Sequence, residues 1–138
     1  MYIGIKHLIQ RFGEPELIQL TDEHRTGAMD EATVVAAITD AQSEIDSYLA
    51  TKYTLPLSTE QVPASLIRIT CDLARYYLYN DRAPETIRTR RNEVIDYLKG
   101  IASGKVDLGI PSNDQPAGSS NELSQVKTGA SNFDWETY

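Results

Sequence analysis

Few residues in this sequence have the type and spacing that chemistry requires. Asp22, Glu23 and His24 stand together, and carboxylates beside an imidazole are ligands that a divalent metal takes. Three consecutive side chains diverge, however, and no second His-carboxylate cluster follows to complete a coordination sphere. The run TDEHRTG therefore reads as a solvated loop. His7 is isolated in the same way, and Cys71 is the lone cysteine, set in an apolar stretch where a small buried hydrophobe is expected. The most organised charge constellation is Arg68, Asp72 and Arg75, spaced i, i+4, i+7. As an exposed ion-pair ladder on a helix it contributes about 0.2–0.5 kcal/mol per pair and needs no chemistry. Gly-rich phosphate loops, nucleophile elbows, His-x-x-x-His pairs and paired-Cys motifs do not occur. The expectation is a chain that is not an enzyme, with no cofactor and no metal.

Charge narrows the partners. The formal net charge is −7 and the pI about 4.7, a poor match to binding DNA by phosphate neutralisation. A helix-turn-helix regulator is the alternative from a different class, and Arg82, Arg88, Arg90 and Arg91 are its only support. An acidic surface can still lie beside DNA, repelling it so that it does not stick. With 138 residues, of which 41% are hydrophobic, the chain is long enough for one domain with a real core. No window approaches the roughly 18 apolar residues of a membrane span, and the N-terminal MYIGIKHLIQRF is too polar for a secretory signal.

The element that positions everything else is Pro63–Asn80, PASLIRITCDLARYYLYN. On a helical wheel of about 100° per residue its apolar side chains fill well over half the circumference. Such a helix must be covered on several sides, by its own bundle or by another subunit. Around it the periodicity predicts a short helix over Ile3–Phe12 and a long amphipathic helix from the N-cap Asp30 to near Tyr53. A further helix is expected from Pro84 to Ser103, with Gly104 as the residue after its end. Glu16–Leu20 is ambiguous between a helical turn and an extended piece, and Lys105–Ile110 reads as extended. The expected fold is all-α, a bundle of about four helices over residues 1–111.

Residues 112–138 form a polar tail rich in Ser, Asn, Gly, Gln and Thr. Such a composition lacks the apolar surface to offset its ordering entropy alone. Phe133, Trp135 and Tyr138 are its natural docking anchors.

The run EIDSYLATKYTLPL, then VP with LIRITCDLARYYLYNDRAPETIRTRR, then VIDYLKGIASGKVDLGIP, resembles the Mu-like phage and prophage gene-product-thirty-six family. The LPL after YLA-x-x-Y, the D-L-A-x-Y-x-L-Y core and the D-R-A-P-E break carry the resemblance together. Its helical layout is similar to that of head–tail connectors (adaptors) of long-tailed phages. The resemblance implies a virion protein of the neck, assembled in the host cytoplasm. It implies a ring of about twelve copies, a closed cyclic assembly, beneath the portal protein and above a downstream neck or tail protein. DNA would pass through without sequence-specific binding. On this view Tyr76, Tyr79, Arg90 and Arg91 lie at the ring interface, and Phe133, Trp135 and Tyr138 dock on the portal or a neighbour.

Overall fold

The computed structural model describes residues 1–113. Phe133, Trp135 and Tyr138 lie outside the described residues. Five helices follow one another: α1 (Ile5–Phe12), α2 (Glu14–Thr21), α3 (Glu31–Leu49), α4 (Ala64–Tyr79) and α5 (Glu85–Ala102). Short 3₁₀ turns at Thr59–Gln61 and Asn80–Arg82 precede α4 and α5, and the described residues contain no strand.

Helix starts follow local chemistry. The Asp30 carboxylate accepts the Ala32 N–H at 3.2 Å and the Thr33 hydroxyl at 2.8 Å, capping α3. Pro63 and Pro84 stand at the N-caps of α4 and α5, where a missing N–H costs nothing. Gly104, at φ +86°, turns the chain after α5 in the left-handed region. The loop after it is folded back rather than extended, with Val106 N–H on the Gly100 carbonyl at 3.0 Å.

The bundle has one helix more than the sequence pattern predicts, because residues 14–21 are helical. Gly13 makes the break at φ +90°, and Pro15 with Glu14 and Glu16 fills a favourable first turn. Leu17 is then fully buried against the core. The long helix ends at Leu49 rather than near Tyr53. Tyr53 is nonetheless buried, and its hydroxyl accepts the Leu108 N–H at 3.2 Å, tying the segment after α5 to the α3–α4 connection.

α4 is the central rod and packs against all the other helices. Leu66, Ile69, Cys71, Leu73 and Ala74 are fully buried on it. α3 meets them with Val34, Ala41, Ile45 and Leu49, and α5 with Val94, Leu98 and Ile101. Each buried Leu or Ile contributes about 1.5–3 kcal/mol over exposure, so these three helices carry the core. The bundle itself therefore covers most of the wide apolar arc of α4. The N-terminal segment is fastened too, with Tyr2 N–H on Gln42 Oε1 at 3.0 Å and the Tyr2 hydroxyl donating to Asp46.

Candidate functional site

Asp72 is where the structure departs most from the exposed-ladder expectation. Its side chain is only 5% exposed, because α5 and the N-terminal helices close over the polar wedge of α4. Arg68 Nη1 lies 3.4 Å and Arg90 Nη1 3.8 Å from Asp72 Oδ2. Burial holds its carboxyl above the usual value, against the pull of Arg90, Arg68, Arg11 and Arg75. Arg75, the expected third rung, turns away. Its Nε and Nη2 donate to the two Glu16 oxygens at 2.7 and 3.0 Å. Its guanidinium also stacks 4.2 Å from the Phe12 ring centroid. Arg75 thus clamps both N-terminal helices onto α4, with a fork geometry that suits a carboxylate.

The four residues placed at a ring interface separate into distinct environments. Tyr76 and Arg91 come together, the guanidinium lying 5.3 Å from the ring centroid. Tyr76 also meets Tyr77 edge-on at 5.9 Å. Arg91 Nη1 reaches Asn92 Oδ1 at 3.4 Å, while its Nε is buried without a hydrogen-bond partner among the described residues. Arg90 is occupied by Asp72 and by Glu93 at 3.8 Å. Tyr79 sits beside Glu16 and Arg75, and burial followed by the Glu16 charge raises its phenol pKa. Neighbouring Tyr77 donates its hydroxyl to Glu44 of α3, with its own pKa raised by burial and then by that bond. The Glu16–Arg75 and Tyr77–Glu44 pairs have no signal in the sequence, their members being 59 and 33 residues apart.

The residues weighed for chemistry have local structural partners. Asp22 accepts Thr26 N–H at 2.8 Å and Gly27 N–H at 2.7 Å, and these backbone bonds hold its carboxyl below the usual value. His7 Nδ1 accepts the Gly4 N–H at 2.9 Å at the start of α1. Cys71 is fully buried, and burial pushes its thiol pKa up to about 11, away from a reactive thiolate. Among the described residues no three His, Cys, Asp or Glu side chains converge on a metal position. No helix among them is long and apolar enough to cross a membrane.

The surface instead offers open grooves between helices. One of about 480 Å³ is lined by Arg68, Glu85 and Arg90 among others. Another of about 450 Å³ lies between α2, α3 and the C-terminal end of α4. They suit macromolecular contact better than an enclosed small-molecule site.

Comparison with known proteins places this helical chain in a phage lineage. The family model described as "Bacteriophage Mu, Gp36" matches residues 2–127, continuing past the residue 111 at which the motif resemblance stops. The Mu-like prophage FluMu protein gp36 of Haemophilus influenzae is 36% identical over 130 residues, covering 94% of this chain and 91% of that protein. Gene product J of Escherichia phage Mu is 30% identical over 128 residues, covering 92% of this chain and 89% of that protein. The chain belongs to the bacteriophage Mu Gp36 family.

Proposed function

We propose that this chain is a structural, non-enzymatic component of the phage neck, a head–tail connector that forms a ring beneath the portal and lines the DNA passage. The observation that carries the reading is membership of the phage Mu Gp36 family over residues 2–127. The helical layout, similar to that of connector proteins, adds to it, as do surface features made for contact rather than catalysis. Tyr76 and Arg91 form a half-buried aromatic–guanidinium pair, a combination enriched at interfaces. A net charge of −7 suits a passage wall that DNA slides past without adhering. The partners are neighbouring copies, the portal protein and the next neck or tail protein. Phe133, Trp135 and Tyr138 are the proposed anchors on the portal or a neighbour.

The DNA-binding alternative has lost ground. Arg90 faces Asp72 and Glu93 and Arg91 stacks on Tyr76, which leaves Arg82 and the weakly paired Arg88 as its support. A recognition helix needs such side chains free for phosphates and base edges.

Removing residues 114–138 tests the docking half of the proposal. The helical body should keep its circular dichroism and melting temperature, while incorporation into phage particles falls. A truncated body that unfolds would make the tail an intrachain brace.

A further inference from the structure

The long helices α3 and α5 differ in charge, α5 carrying Arg88, Arg90, Arg91 and Lys99 beside Glu85, Glu93 and Asp96. α3 carries Glu31, Asp40, Glu44 and Asp46 and no lysine or arginine. Where it borders α2 and the end of α4, the 450 Å³ groove has Leu20, Ala37 and Leu78 in its floor. Glu23, Asp40 and Asp81 line the same groove, where Arg82 is the only cation among the described residues. Among the described residues none of these three carboxylates forms an ion pair. The groove is therefore a mixed polar and apolar trough in which, among the described residues, three carboxylates outnumber one cation.

α5 presents the complement. Arg88, Asn92, Ile95 and Lys99 recur at i, i+4, i+7 and i+11, which places them in one stripe, flanked by Glu85 beside Arg88 and Asp96 beside Lys99. Arg88, Asn92 and Lys99 are exposed and Ile95 is half-buried, giving cations around an apolar centre. Among the described residues the one ion pair of Arg88 is with Glu85, which is 82% exposed, a weak surface pair that a better-placed carboxylate displaces. Arg90 is committed to Asp72 and Glu93, whereas the only ion pair of the stripe among the described residues is the exposed Arg88–Glu85 contact.

We propose that the acidic groove of one copy receives the Arg88–Lys99 stripe of α5 from the next copy. The two surfaces differ, so the contact is head-to-tail: each added copy leaves one open groove and one open stripe until the ring closes. The inference rests on the connector reading and deepens it by naming the surfaces that join successive subunits.

The test uses phage particles carrying the full chain with Asp40→Cys and Arg88→Cys together, treated with a short bis-maleimide. The native Cys71 is fully buried and stays out of the reaction. The double variant should give a ladder of multiples, and neither single variant should. Monomers only, in particles that contain the chain, overturn the pairing and leave the connector reading standing. Dimers from Asp40→Cys alone indicate a groove-to-groove contact and also overturn it. Particles whose necks lack the chain remove both readings. A charge exchange provides a second arm. Asp40→Arg and Arg88→Asp should each lower incorporation about tenfold, and their combination should restore it. A combination no better than either single variant contradicts the proposal.

Discussion

Around Asp72, acidic and basic groups of the same chain meet, the carboxylate buried and Arg68 and Arg90 reaching it from the surface. Arg68 and Arg90 converge on one buried carboxylate, and Arg75 takes Glu16 in two hydrogen bonds. At the C-terminal end of the same helix, Glu23, Asp40 and Asp81 line a groove and form no ion pair among the described residues. The Asp72 carboxylate is enclosed because α1, α2 and α5 pack over it; the second set is open because nothing in the described chain does. Charges satisfied internally hold helices in register. Charges left open cost the monomer little and are available to a partner.

Substitutions can break or sharpen that contrast. The largest effect should come from the apolar core between the two sets. Leu73→Ala, at a fully buried position, should lower stability by about 2–5 kcal/mol in urea unfolding. Arg75→Gln removes the Glu16 fork and the stacking on Phe12, and should cost about 1–2 kcal/mol. Hydrogen exchange should then quicken in α1 and α2 before α3, since the clamp holds those helices alone.

Two variants should separate the regions by pH rather than by size. Burial raises the folded-state pKa of Asp72 above its ordinary 3.8, so its ionised form is disfavoured on folding. Its contribution is fully present below pH 3.8 and is lost as pH rises through the raised folded value. Asp72→Asn should abolish that loss, so the difference in stability between variant and parent should change as pH rises through the raised folded value and stay level above it. Asp22 runs the other way, its folded value lowered by the Thr26 and Gly27 N–H groups. Its contribution is present above pH 3.8 and is lost as pH falls through the lowered value. Stability curves of Asp72→Asn and Asp22→Asn against pH should therefore deviate from the parent chain with opposite slopes.

The smallest stability effect should belong to the groove. Asp40→Asn with Asp81→Asn should shift unfolding by less than about 0.5 kcal/mol, as exposed unpaired charges do. Their effect should appear in assembly instead. A large loss of monomer stability would show that the groove carboxylates are structural after all.

The pattern of the sequence reveals most of the fold because the informative residues are local. Asp30, Pro63, Pro84 and Gly104 mark helix ends by their own backbone chemistry. The wide apolar arc of α4 demands cover, and α3 and α5 supply most of it. α2 is harder to read because its apolar residues, Leu17, Ile18 and Leu20, span a single short helix with an ambiguous period. Pro15 between two glutamates is the signal that marks its start. The candidate site is far less legible. A wheel places Arg68, Asp72 and Arg75 on one wedge, but it cannot show α5 bringing Arg90 or α2 bringing Glu16. Burial of Asp72 is a property of packing, and so is the openness of Asp40 and Asp81.

The central claim is that this chain is a ring-forming subunit of the phage neck. A cryo-electron microscopy reconstruction of that neck tests it most directly. The account predicts a closed ring of this chain beneath the portal, with the α3 groove of each copy filled by α5 of the next. A neck without this chain, or with it present as isolated copies, would contradict it.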